Sequence, residues 1–271
     1  MYIMLFIGVL IAYIISAICF IIWALNKKRI VSQVALFLAI FGFLTNTLSL
    51  IVRAIVSGFP PMSNLYESMV LFAWAIVLIF LLLEYKYKFR IIGAFIMPLA
   101  SLSILYASFL DSAIRPLLPA LQSYWLVIHV MVCFLSYACF TCAFSLGVMF
   151  LLQERQVKSK HIGRLFERLP SLDVMDKINY NTVLIGFILL TIGIITGSVW
   201  AQQAWGSWWS WDPKETWSLI TWFIYAAYLH ARLNSGWQGK KTAVLSIIGF
   251  LAVLFTYLGV SFLLPGLHSY L

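Results

Sequence analysis

The chain has 271 residues, 63% of them hydrophobic and 10% charged, with a formal net charge of +9. Its mean hydropathy is +0.98. A soluble globular domain is nearer half apolar and a quarter charged, so that class is excluded. The composition implies an all-α, polytopic membrane bundle, a single domain over residues 1–271 with no room for a soluble catalytic domain.

In chain order, eight apolar stretches are predicted to span the bilayer, near 3–25, 31–53, 67–84, 91–110, 126–152, 180–199, 216–233 and 242–264. Each is long enough to cross a ~30 Å hydrocarbon core, which takes about 20 residues as a helix. The first stretch lacks a small-residue cleavage pattern and runs into Asn26-Lys27-Lys28-Arg29. It reads as a retained helix. The largest connection on the basic side runs from about Glu154 to Asn179. Its core, residues 161–169, has apolar positions at helical spacing and is expected on the membrane surface.

Alternate loops carry Lys27, Lys28 and Arg29; Lys86, Lys88 and Arg90; Arg155, Lys158, Lys160, Arg164, Arg168 and Lys177; and Arg232, Lys240 and Lys241. Those are 15 of the 18 basic residues, and only Arg53, Arg115 and Lys214 fall on the other side. The basic side is expected to be cytoplasmic, with both termini outside. The net charge is this topological bias and gives no reason to expect nucleic acid as a partner.

Between spans six and seven, on the expected outer face, lies Trp205-Gly206-Ser207-Trp208-Trp209-Ser210-Trp211-Asp212-Pro213-Lys214-Glu215-Thr216-Trp217. Five tryptophans fall within these thirteen residues, and Trp200 and Trp222 make seven of the chain's eleven. Such density suits a platform for a large flat apolar ligand, since indole offers a broad face and one donor. An interfacial aromatic belt is the rival reading, because Trp collects at bilayer surfaces.

Two helix starts are spelled out. Asp212, Pro213 and Glu215 occupy the cap, first and third positions of a capping box. Asn64 and Glu67 repeat that spacing before span three. These residues are expected to be structural support, fixing where the tryptophans point. The cysteines, Cys19, Cys133, Cys139 and Cys142, all lie in predicted spans. Cys139 and Cys142 form a C-x-x-C by spelling, but with no helix N-terminus nearby to activate a thiol. The chain has no C-x-x-C-H of its own.

Four histidines are present. His129 lies just inside the outer end of span five, and His268 follows span eight on the same side. A lone histidine at a helix end is ordinarily a hydrogen-bonded terminal residue. Two at the level of the tryptophans fit the axial ligands of a bis-imidazole haem site. His230 is 17 residues beyond Pro213, roughly 25 Å at helical rise. It cannot share an iron with the other two. Arg232 follows it, so one reading is an interfacial residue; if instead it ligates haem, a second chain would have to supply its mate. His161 is expected to be solvated.

These residues resemble the CcsA (ResC) family of cytochrome c biogenesis proteins, which belong to the haem-handling proteins with a tryptophan-rich "WWD" segment. The resemblance rests on the stretch 205–217 with Tyr228-Leu229-His230-Ala231-Arg232. Three further stretches fit: Pro61-Met62-Ser63-Asn64-Leu65-Tyr66-Glu67-Ser68, residues 119–130, and His268-Ser269-Tyr270. It covers the chain from about residue 57 onward.

The resemblance implies a subunit of a system II cytochrome c synthase, a haem lyase active only with a CcsB/ResB-type membrane partner. It would present haem b at the outer face for thioether attachment to apocytochrome c CxxCH motifs and take part in haem export. His129 and His268 match the external axial ligands of the haem iron, and His230 matches the transmembrane one. The WWD segment over 200–217, with Trp205, Trp208, Trp209, Trp211 and Trp217, would hold a haem edge. No catalytic acid or base is implied. The expected location is the cell (inner or plasma) membrane, with the WWD segment extracytoplasmic. A HemX-like protein linked to haem synthesis, or a transporter or scaffold subunit without ligation activity, are the alternatives.

Overall fold

A computed structural model of the chain describes residues 2–26, 28–159, 168–264 and 266. Among the described residues the protein is all-helical. The helices are α1 (Tyr2–Asn26), α2 (Arg29–Ser57), α3 (Leu65–Tyr87), α4 (Gly93–Ala107), α5 (Tyr124–Ser159), α6 (Leu172–Trp205), α7 (Pro213–Asn234) and α8 (Lys240–Leu254). A π turn over Phe255–Gly259 carries α8 into a last short helix, α9 (Val260–Leu263). Single 3-10 turns occupy Arg90–Ile92 and Pro119–Leu121.

Seven of these helical stretches are long and apolar enough to cross a membrane. The chain is a multi-pass helical membrane protein. The exception among the eight predicted spans is α7, which forms a helix of 22 residues but carries a more polar sequence. Helices α5 and α6 outrun their predicted spans, with 36 and 34 residues. The hydropathy pattern marks only the part that matches lipid. Residues 161–167, most of the stretch predicted as a surface helix, lie outside the described residues, as does His268.

The chain forms two compact units. The first comprises Met1–Ile114 and Leu151–Leu172. Here α1 packs on α2 and α4, and α3 packs on α4. Asn64 caps α3 by accepting from the Glu67 N–H at 2.9 Å. The Glu67 carboxylate does not close the box. It is 1% exposed and accepts from Arg53 at 2.7 Å, and from the Ser63 N–H and hydroxyl at 2.8 Å. A buried cation on α2 outcompetes the local backbone donor, because a desolvated guanidinium needs a counter-charge. Arg53 also donates to Ser112 O and lies over the rings of Tyr2 and Tyr66.

The second unit comprises Arg115–Phe150 and Asp173–Leu271. Its α5 and α6 run antiparallel along a seam with three polar rungs. His129 Nδ1 meets Gly193 O at 2.7 Å, Ser136 Oγ donates to Gly186 O at 2.7 Å, and Asn179 Nδ2 donates to Ala143 O at 2.8 Å. The rungs are seven residues apart on each helix. Seven residues are two turns at the 3.5-residue period of a left-handed helix pair, so the same face returns at every rung. At the far end, Tyr228 of α7 donates to Asn179 Oδ1 and Asn179 Nδ2 reaches Ser246 of α8. Asp176 there accepts from Gly239 N–H and Thr242, and pairs with Arg232 at 2.5 Å.

Candidate functional site

His129 stands in the second turn of α5. A carbonyl only accepts, so the contact from Nδ1 to Gly193 O requires the hydrogen on Nδ1. In the neutral ring the lone pair is then on Nε2, the arrangement a metal-ligating histidine needs. Cys133, one turn further along α5, brings its sulfur to 3.6 Å from the same nitrogen. The ring lies nearly parallel to the indole of Trp200, centroids 6.2 Å apart at 16°.

Trp200 is 2% exposed and anchors a small apolar cluster with Leu121 and Leu126. Its Nε1 donates to Ala120 O at 2.9 Å. Trp205 meets it edge-on, centroids 4.9 Å apart at 74°. Rings therefore follow one another from His129 through Trp200 to Trp205, where α6 ends and the Trp-rich segment starts.

That segment leaves α6 through Gly206 at φ 78°. Trp208 and Trp211 are 57% and 68% exposed, while Trp209 is half-buried and meets Trp211 edge-on at 5.7 Å. Trp211 has φ 58°. A bulky residue in the left-handed region carries backbone strain, which concentrates at functional positions. The strain is held in place by the next four residues. Asp212 accepts from the Lys214 N–H at 3.0 Å, Pro213 opens the helix, and the Glu215 carboxylate accepts from the Asp212 N–H at 3.2 Å. Glu215 also accepts from the Ser210 N–H at 2.8 Å and from its hydroxyl. Thr216 donates to Trp211 O. The two carboxylates are occupied as a clamp on the turn. Burial holds the Lys214 ammonium below its ordinary pKa, with the neighbouring Asp212 carboxylate opposing.

Trp217 packs on Phe255 of the π turn, centroids 4.2 Å apart, and Thr256 donates to its carbonyl. Gly266 lies against the cap, so close that a Cβ there would collide with Asp212 Oδ2 and stand 3.1 Å from Pro213 Cδ. His268 comes two positions later in the sequence. His230 sits on an exposed face of α7, with Nδ1 3.1 Å from the Asn234 side-chain amide. An amide can donate or accept, so that contact sets no tautomer.

The structure thus brings His129 to Trp200 and Trp205, and Asp212 to Glu215 and Gly266. It keeps His230 on α7 apart from these contacts. Asn64 and Glu67 belong to the other unit. Gly193 and Trp200 were not among the predicted site residues. The signal for Gly193 is its seven-residue spacing with Asn179 and Gly186.

Residues 62–268 match the family described as "Cytochrome C assembly protein". The chain is 43% identical over 270 residues to "Cytochrome c biogenesis protein CcsA" of Prochlorococcus marinus (strain AS9601), covering 91% of this chain and 87% of that protein. It is 42% identical over 264 residues to the protein of the same name from Pyropia yezoensis, covering 83% and 82%. Among solved structures, "Cytochrome c Heme Lyase CcmF" shares the fold, with a TM-score of 0.68 at 16% identity. That likeness covers 95% of this chain and 46% of the other, so the chain spans less than half of that protein. With its matched region running through both the α5–α6 seam and the Trp-rich turn, the chain belongs to the cytochrome c assembly protein family.

Proposed function

We propose that this chain is the haem-handling subunit of a system II cytochrome c synthase. It presents haem b at the outer membrane face for thioether attachment to the CxxCH motif of apocytochrome c, and takes part in haem export with a CcsB/ResB-type partner. The observation that carries the reading is the orientation of His129, whose Nδ1 is committed to Gly193 O beside the tryptophan run. The names of the relatives at 42–43% identity favour this reading over a HemX-like one.

The residues present fit haem. His129 offers an oriented imidazole, and Trp208 and Trp211 offer exposed indole faces on a clamped turn. His268 would be the second external ligand, as the resemblance implies. Trp205, Trp208, Trp209, Trp211 and Trp217 hold the edge of the macrocycle. The skew of Lys and Arg supports an extracytoplasmic Trp-rich segment with both termini outside. His230, exposed on α7, is open to a ligand pair completed by the partner.

Haem supplies the vinyl groups to which the substrate thiols add. The chain's contribution is positioning. His129 and His268 would hold the iron and the Trp-rich turn the macrocycle, so that thiol and vinyl would meet at high effective concentration. Asp212 and Glu215, whose oxygens hold backbone N–H groups, keep the turn in shape and move no proton.

The test is co-expression with a secreted CxxCH reporter, with and without a CcsB-type partner, followed by haem staining under denaturing conditions. Covalent haem on the reporter is expected only when both chains are present. Equal staining with the partner alone, or none with both, contradicts the reading. Haem bound to this chain without reporter staining is the HemX-like outcome.

A further inference from the structure

The ring of His129 lies against a strip of α6 that carries no side chain. A Cβ built on Gly197 would stand 2.7 Å from both Cε1 and Nδ1 of His129 and 3.4 Å from Nε2. A Cβ on Gly193, one turn earlier, would stand 2.6 Å from the Cys133 sulfur. Real Cβ atoms do not approach other heavy atoms so closely, so at each position the facing side chain must move or the helices must part. Trp200, three residues beyond Gly197, lies alongside the same ring. The heptad register of the seam places all of this at its outermost rung.

We propose that Gly193 and Gly197 are positioning residues that set the axial presentation of His129 to iron. Gly197 leaves the slot in which the flat ring lies, and the Gly193 carbonyl fixes its rotation and tautomer. Trp200 limits its sideways freedom. Gly193 and Gly197 touch no substrate; they act through the imidazole. A ligand held on three sides keeps Nε2 on one heading without reorganisation, the role outer-shell contacts play for metal-bound histidines. The proposal rests on the reading of His129 as an external haem ligand.

The test compares full-length protein purified from haem-replete membranes with variants on one helix. Gly186→Ala is the matched control. Its Cβ would meet Phe140 Cε1 at 2.7 Å, as tight as Gly197 against His129, but one rung along the seam and against a ring that is no candidate ligand. Gly197→Ala is expected to retain about tenfold less low-spin haem, with the low-spin spectrum recovered by added imidazole. Gly186→Ala is expected to keep the parent spectrum per folded protein. In protein labelled with 15N-histidine and free of haem, Gly197→Ala is expected to shift the His129 ring nitrogens away from the Nδ1–H pattern, and Gly186→Ala is not.

Should Gly197→Ala fail to accumulate, a second pair carries the test. The Cys133 sulfur is the one atom within 3.4 Å of a Cβ on Gly193; the next stands at 3.7 Å. Gly193→Ala is expected to weaken the low-spin signature, and Gly193→Ala with Cys133→Ala to restore it. A Gly197→Ala spectrum that tracks Gly186→Ala, or a Gly193→Ala spectrum equal to the parent's, overturns the proposal while leaving the ligand reading intact. If His129→Ala itself leaves the spectrum unchanged, the ligand reading falls and takes the proposal with it.

Discussion

The imidazole of His129 and the indole of Trp200 lie within 16° of parallel, their centroids 6.2 Å apart. One is on α5 and the other on α6, so the pair depends on the register of the seam between them. Trp200 has two further contacts. Its Nε1 holds the turn at Ala120, and its face receives the edge of Trp205. A change at this indole therefore reaches the histidine, the preceding loop and the start of the Trp-rich segment together.

Trp200→Phe keeps an aromatic face beside His129 and loses the donor to Ala120 O. The expected cost is about 1 kcal/mol, the net worth of one hydrogen bond, with haem retained. Trp200→Ala opens a cavity and is expected to cost about 3–5 kcal/mol. Denaturant unfolding in mixed micelles reads both. Equal midpoints for the alanine variant and the parent would show that the indole is not part of the core.

Trp211 combines exposure with a left-handed backbone. Replacing it by glycine relieves about 1 kcal/mol of strain, and a similar amount is returned through the freer unfolded chain. Stability is therefore expected to stay within about 1 kcal/mol of the parent, while haem retention falls. If Trp211→Gly instead melts far below the parent, the side chain is a structural element and not a ligand platform.

The cap divides roles between two carboxylates. Asp212→Ala is expected to cost about 1 kcal/mol, and Asp212→Asn much less, since Asn caps as well as Asp. Glu215→Ala removes the acceptor for both the Ser210 and Asp212 N–H groups and is expected to cost about 1.5–3 kcal/mol. Haem retention should follow these stabilities in order. Ligation activity abolished in a stable Asp212→Asn protein would mean the carboxylate acts chemically.

How much of this was legible follows the range of each interaction. The start of α7 could be read because Asp212, Pro213 and Glu215 interact within one turn of helix. Asn64 and Glu67 have the same spacing but only half the box forms. Glu67 is taken by Arg53, 14 residues earlier on another helix, and periodicity carries no information about that pairing. Helices α5 and α6 outrun the predicted spans because polar residues beyond the lipid-matched stretch still propagate a helix. His129 was legible as a histidine at the tryptophan level. The glycines beside it were not, because a glycine in an apolar span, even at the seven-residue spacing of Gly193, reads as packing until its partner helix is placed.

The Arg53–Glu67 pair gives a stability prediction in the first unit. Both side chains are at most 4% exposed. Arg53→Met strands a buried carboxylate and is expected to cost about 3–5 kcal/mol. Adding Glu67→Gln removes the stranded charge, so the double variant should recover much of the loss. Unfolding midpoints of the two single variants and the double variant test this, and additive losses would contradict a coupled pair.

The central claim is that His129 and His268 hold haem at the outer face. Its most direct test is the absorption spectrum of the full-length protein purified from haem-replete membranes, beside His129→Ala/His268→Ala. The account predicts that the double variant loses the low-spin spectrum and regains it with added imidazole. A low-spin spectrum unchanged in the double variant would contradict it.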